Sequence, residues 1–345
     1  MQFRTRAAFA ALAIVASGCA DRGRTVHIRE PLAPITELVA RGVEGERGVD
    51  APVVIVTVDG VRWQEVFEGS DRTLSRSAYV PPRSIFKHLY ELGSRRGAFI
   101  GAPGQGTIAA SGPNYLSLPG YTELLSGRAS PCLDNGCART ALPSILDEAR
   151  AAGAKVAAFA SWERLDLAAT ATPGSFVSSC GRGDDPAIDP WPGSGDYRPD
   201  RLTAEAALAY YAAERPDVFF LGLGDPDELA HRNDYEGYLG SLHRADAIIG
   251  RLLALLDSLG ERGQRTYVVV TADHGRSKKF HDHGAMPEAA RVWMVAAGPR
   301  FSARGAVLSP QPRRLADVAP TLRIVLGLPP DTSERSGAAL EELFL

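Results

Sequence analysis

The chain has 345 residues, of which 45% are hydrophobic and 23% charged, ordinary values that exclude disordered and fibrous classes. Its formal charge is −3. Without the first 18 residues, which carry Arg4 and Arg6, 36 basic side chains face 41 acidic ones. A mildly acidic chain with no basic block has no electrostatic footprint for nucleic acid, which is not expected as a main partner.

The first 19 residues predict an export signal. Arg4 and Arg6 form its positive start, Ala7 to Ala16 its apolar stretch, and Ser17-Gly18-Cys19 a small-residue cleavage site. The apolar stretch is shorter than the ~20 residues that a bilayer span needs. Ala16-Ser17-Gly18-Cys19 resembles a bacterial lipobox, with Ala16 where Leu is usual, so a lipid anchor at Cys19 is expected ahead of a plain secretory signal. The expected location is the periplasm, or the outer membrane as a lipoprotein. Residues 20–50 carry Pro31, Pro34, Gly42, Gly45 and Gly48 without a sustained period and read as a flexible tether. One domain is predicted over 51–345.

That domain opens with Val53 to Val58, an unbroken β-branched run of the kind buried on both faces of a parallel sheet. Similar runs occur at Lys155 to Ala160, Asp217 to Leu223, Thr266 to Thr271 and Val292 to Ala296. Helical patterns lie between them. Thr203 to Glu214 is Ala-rich, and Glu236 to Leu259 places Leu239, Leu242, Ala245, Ile249, Leu252, Leu256 and Leu259 at spacings of three and four. The alternation predicts an α/β fold: a three-layer α/β/α sandwich around a mostly parallel sheet. Pro173 to Pro199, rich in Gly, Pro and Asp, reads as a long excursion over the core. Three cysteines lie beyond Cys19. Cys132 and Cys137 could close on one another, or either could pair with Cys180.

In open α/β sheets, ligands gather outside the carboxyl ends of the strands. Asp59, Asp225, Asp227, Asp273 and His274 all stand at such predicted ends, and five of seven histidines fall from His231 to His283. Carboxylates mixed with imidazole suit a zinc-like divalent cation. Asp227 and His231, four residues apart, share one face if that segment opens a helix, and His283 in a later loop could join them. Asp59, Asp273 and His274 could make a second site. Singly, an Asp-Gly after a strand is a turn and a DxxxH pair is a solvated helix face; their coincidence is what points to metal.

The sequence resembles the alkaline phosphatase superfamily, in particular its phosphodiesterase/nucleotide-pyrophosphatase-like and sulfatase-like bacterial members. The resemblance rests on Val-Thr-Val-Asp59-Gly-Val-Arg, Ser117-Leu-Pro-Gly-Tyr-Thr-Glu-Leu-Leu-Ser-Gly127, Gly-Asp-Pro-Asp227-Glu-Leu-Ala-His231, Thr-Ala-Asp273-His274-Gly and His283-Gly, in the family's order over about 50–300. It implies two divalent metals, expected to be Zn2+ with Mn2+ as the alternative. One would be held by Asp59, Ser117, Asp273 and His274, the other by Asp227, His231 and His283.

It also implies that Ser117 is the nucleophile. Ser117-x-Pro119 with Ser126-Gly127 downstream keeps the family's spacing, whereas Ser111-Gly-Pro113-Asn114 imitates the phosphodiesterase opening six residues out of register. Gly120 stands where those phosphodiesterases have an Asn on a phosphoryl oxygen, and Asn114 is the candidate substitute. Trp162 and Arg164, after the strand run at 155–160, are further candidates to line the substrate, with a core Trp as the alternative. Type I sulfatases carry Cys/Ser-x-Pro-x-Arg; Tyr121 replaces that Arg here, which tells against formylglycine chemistry. The function implied is an exported two-metal phosphoric ester hydrolase acting on a small-molecule ester through a phosphoseryl intermediate. The same scaffold would also serve a phosphotransferase, a phosphonate or sulfate ester hydrolase, or an inactive metal-binding lipoprotein.

Overall fold

A run of β-branched residues with no polar side chain to spare can form a strand only where both faces are covered, and the core of this chain is built on that rule. The computed structural model describes residues 48–183 and 185–344; the expected export signal, Cys19 and all of the tether but its last three residues lie outside them. The strands are β1 (Val53–Val58), β2 (Gly97–Ile100), β3 (Ile108–Ala109), β4 (Val156–Ala160), β5 (Val177–Cys180) and β6 (Val218–Leu223). They continue with β7 (Tyr267–Thr271), β8 (Arg291–Val292), β9 (Met294–Ala297), β10 (Gly305–Ala306) and β11 (Arg313–Arg314). Strands β11, β3 and β8 form a small sheet. The other eight form the main sheet in the order β10-β2-β9-β7-β1-β6-β4-β5.

Strand β1 pairs in parallel with β6 and β7, Val53 facing Val218 on one side and Tyr267 on the other. All residues of β1, β6 and β7 are buried. Five helices frame the site: α1 (Ser117–Ser126), α2 (Asp200–Glu214), α3 (Asp225–His231), α4 (Tyr235–Ser258) and α5 (Val318–Leu326). Helix α2 lies on β4 and β6 and packs with α4, while α1 packs with α5 in the opposite layer. The architecture is a three-layer α/β fold with a mostly parallel sheet.

One strand run behaves differently from its composition. Residues 292–296 divide: Val292 ends β8 in the small sheet, and β9 begins at Met294 and runs antiparallel to β7 and β2. Buried Trp293 marks the break, its indole N–H donating to Val61 O (3.1 Å) and its carbonyl accepting from Thr271 Oγ1 (2.6 Å). Strand direction depends on the connection that precedes it, which an apolar run does not encode.

Helix α4 starts where Asp234 accepts from Gly237 N (2.9 Å) and buries the stripe of Leu239, Leu242, Ala245, Ile249, Leu252 and Leu256. Leu242→Ala should lower unfolding free energy by about 2–5 kcal/mol through the cavity it leaves. Asp234→Ala should cost about 1 kcal/mol, the ordinary worth of a cap. Urea midpoints measure both, and equal losses would contradict the division of labour between the buried stripe and the cap.

Candidate metal centre

The order β7-β1-β6 brings three carboxyl ends side by side. Asp59 follows β1, Asp227 lies in the first turn of α3 just after β6, and Asp273-His274 follow β7. Gly60 makes the turn after Asp59 at φ +63°. A side chain there would sit 2.2 Å from Asp227 Oδ1, so the position needs glycine for both its backbone and its space. Its N–H donates to Asp273 Oδ1 (3.2 Å). Ser117 is the first residue of α1, and Gly120 lets that helix approach Asp273: a Cβ on Gly120 would lie 2.4 Å from Asp273 O. His283 is delivered by an antiparallel bridge between Tyr115 and Gly284.

All seven residues, Asp59, Ser117, Asp227, His231, Asp273, His274 and His283, converge. Ser117 Oγ lies 3.3 Å from Asp59 Oδ1 and 3.2 Å from His274 Nε2. His274 Nε2 is 3.4 Å from both Asp59 Oδ1 and Asp273 Oδ2. On the other side, His231 Nε2 is 3.0 Å from Asp227 Oδ2 and 2.9 Å from His283 Nε2. The rings of His274 and His283 stack with centroids 4.2 Å apart, so the two halves touch. Asp59–Asp273–His274 and Asp227–His274–His283 each bring three ligand atoms within 4.8 Å of one another.

Electrostatics separate the two halves. Burial, with the charges of Asp273 and Asp227, pushes the Asp59 carboxyl well up, and burial with Asp227 pushes Asp273 up to about 8. Asp227 behaves oppositely: burial would raise it, but Arg276 and His231 hold it well below the usual carboxylate range. Burial lowers His274 to about 4 and, with His274 beside it, lowers His283 to about 3, so both imidazoles are neutral and free to ligate at pH 7. Asp273 Oδ2 is buried and has no hydrogen-bond partner among the described residues. An orphaned carboxylate oxygen between a second carboxylate and a bare imidazole nitrogen is a donor set that fits a divalent cation.

The remaining candidates lie nearby in other company. Ser111 Oγ donates to Glu123 Oε1 (2.6 Å), away from the centre. Cys132 and Cys137 form a disulfide, and Cys180 is a free thiol. Asn114 Nδ2 donates to Leu133 O (2.8 Å) and Arg164 Nη2 to Cys137 O (3.1 Å), so both side chains anchor the disulfide ring. Trp162 is half-buried, its ring 6.5 Å from that of Tyr121. Three contributors escape a reading of the sequence. Tyr121 OH donates to Asp59 Oδ2 (2.9 Å); Asn135, inside the disulfide ring, accepts from Leu118 N (2.9 Å); Arg276 pairs with Asp227. Arg276 left a trace as a charge two residues beyond the Asp-His pair, and Tyr121 stands within the Ser117 motif without its bond to Asp59 being readable there.

This geometry has two measurable outcomes. Depressed His274 and His283 add stability as pH rises to about 6.5, where unfolded imidazole is half neutral; raised Asp59 and Asp273 remove stability as pH climbs above about 4, Asp273 until about 8. Above about pH 6.5 the contribution of His274 and His283 flattens while the raised carboxylates, and His231 raised beside Asp227, go on removing stability, so the metal-free protein should lose stability up to about pH 8, and Zn2+ should raise Tm more at pH 8 than at 6.5. A Zn2+ shift independent of pH would contradict the carboxylate assignment. Gly120→Ala should cost about 1–3 kcal/mol by forcing α1 off Asp273, and should weaken metal retention measured by elemental analysis.

The family model for the metalloenzyme superfamily matches residues 197–330. Among curated relatives, the 2,3-bisphosphoglycerate-independent phosphoglycerate mutase of Nitrosococcus oceani is 26% identical over 145 residues, 40% of this chain and 27% of the mutase. That of Roseobacter denitrificans is 31% identical over 140 residues, 39% of this chain and 26% of the mutase. The chain thus matches about a quarter of these relatives' length. In fold it is similar to a 2-O GAG sulfatase (TM-score 0.60, 16% identity, 85% of this chain and 74% of that one). It is equally similar to the phosphonate monoester hydrolase of Silicibacter pomeroyi (TM-score 0.60, 17% identity, 85% and 76%). The matched metalloenzyme segment, 197–330, holds Asp227, His231, Asp273, His274 and His283, and the fold around it is similar to that of a sulfatase and a phosphonate monoester hydrolase.

Proposed function

We propose that the protein is an exported phosphoric ester hydrolase that uses two divalent metals, with zinc as the best fit to three histidines, and forms a phosphoseryl intermediate on Ser117. The observation that carries this reading is the position of Ser117 Oγ, at the start of α1 and within 3.3 Å of Asp59 and His274, the imidazole that also faces the orphaned oxygen of Asp273. Bound divalent cations would supply a lowered hydroxyl pKa at the serine and charge neutralisation at the ester oxygens. The chain's own residues do the rest.

Asp59 and His274 orient Oγ, and Tyr121 fixes Asp59 from the far side. The N-terminus of α1 favours the negative charge that develops at Oγ and at the ester. Asn135, its Oδ1 committed to Leu118 N–H, keeps its amide N–H groups for a non-bridging oxygen. Ser117 Oγ then attacks phosphorus, the alcohol departs, and water cleaves the phosphoserine ester in a second step. The substrate is a small-molecule phosphate ester. A sulfate or phosphonate ester is the second reading, favoured by the fold neighbours, whereas Tyr121 in place of the sulfatase arginine leaves phosphorus ahead of sulfur.

Acid quenching during turnover of an aryl phosphate should trap phosphate on Ser117, read by peptide mass spectrometry. Ser117→Ala should lose turnover by about 10^3-fold or more while retaining metal, as removal of a nucleophile does. Ser111→Ala should stay largely active. Label on Ser111, or full activity in protein shown to be metal-free, would overturn the reading. A side-by-side screen of phosphate monoesters, diesters, phosphonates and sulfates assigns the ester class.

A further inference from the structure

Arg276 is buried completely and donates in every direction. Nε bonds Phe280 O, Nη2 bonds His281 O (3.0 Å), and Nη1 pairs with Asp227 Oδ1. Phe280 adopts φ +64°, wrapping the 277–282 loop around the guanidinium, and its ring lies 5.9 Å from it. The same Nη2 stands 3.5 Å from His231 Nδ1. One arginine therefore faces two of the three residues assigned to the second metal.

The histidine tautomers differ as a result. His274 Nδ1 is 2.9 Å from Gly275 O, and His283 Nδ1 is 2.8 Å from Tyr115 O. A carbonyl only accepts, so both rings carry their proton on Nδ1 and present a bare Nε2 to the centre. His231 is set the other way. A guanidinium only donates, so the nitrogen beside it is bare and the proton sits on Nε2, which faces Asp227 Oδ2 and His283 Nε2. A cation taking His231 Nε2 must displace that proton and turn an Nδ1–H against a fixed positive charge. It also meets an Asp227 with one oxygen already committed to Arg276. No cationic side chain pairs with Asp59 or Asp273 among the described residues, apart from the imidazole of His274.

We propose that Arg276 is a positioning residue that makes Asp227–His231–His283 the weaker, exchangeable metal site and leaves Asp59–Asp273–His274 as the resident one. The inference rests on the two-metal reading of the centre. Its test is Zn2+ titration of the chelator-stripped full chain by calorimetry, with elemental analysis after desalting. The wild type should retain about one equivalent and bind a second at least about tenfold more weakly, a gap typical of outer-shell control of metal affinity. Arg276→Gln should tighten the second equivalent by about tenfold, and Arg276→Lys, which keeps the charge, should leave it weak. Should the loop fail to fold without Arg276, ligand variants in the wild-type background still decide: His231→Ala should delete the weak equivalent and Asp59→Asn the tight one. Two equal affinities in the wild type, or loss of the tight equivalent in His231→Ala, would overturn the assignment. A wild type that binds no metal overturns it together with the two-metal reading. Ranked binding without turnover of any ester supports Arg276 and tells against the hydrolase reading alone.

Discussion

Asp59 and Asp273 are buried side by side at the ends of adjacent parallel strands, 4% and 0% exposed, with the carboxylate of Asp227 close enough to repel both. Removing one carboxylate from water costs several kcal/mol unless it is paired, and like charge beside it adds to that cost. Much of the local architecture answers this constraint. Gly60 turns its N–H onto Asp273, Tyr121 gives its hydroxyl to Asp59, and α1 points its N-terminus at the pair. One oxygen of Asp273 is still left without a hydrogen bond. A site with residual negative charge, neutral imidazoles and an orphaned oxygen is one whose folded form is completed by a cation.

The segment that carries Ser117 is placed by contacts from three directions. Gly120 lets α1 touch the backbone of Asp273; the bridge of Tyr115 with Gly284 ties the segment before α1 to the loop carrying His283; and the ring closed by Cys132 and Cys137 lays Asn135 on Leu118 N–H. Asn114 and Arg164 hold that ring at its two ends. A catalytic group is useful only if its position is held within a fraction of an ångström, and here the supports come from segments far apart in sequence.

Charge is distributed unevenly across the centre. The half beside Ser117 holds carboxylates that pair with no arginine among the described residues, and the half beside His231 has Arg276 built into it. Since the two halves share the stacked His274 and His283, a change in one is felt electrostatically in the other.

The residues of the candidate centre were legible in the chain because each follows a strand that its own composition announces: Asp59 after Val53–Val58, Asp273-His274 after Tyr267–Thr271, Asp227 after Val218–Leu223. The long amphipathic helix was legible for the same reason, since burial on one face leaves a period of three and four. Which of these side chains meet was settled by long-range packing. Asp227 and Arg276 are 49 positions apart, and Asp59 and Ser117 are 58 apart. The antiparallel run of β9, the choice of Cys137 over Cys180 as partner of Cys132, and the commitment of Asn114 and Arg164 to loop carbonyls are likewise products of packing. Periodicity records how deeply a residue is buried, but the order of strands in the sheet determines which side chains share that burial, and it is a property of the whole chain.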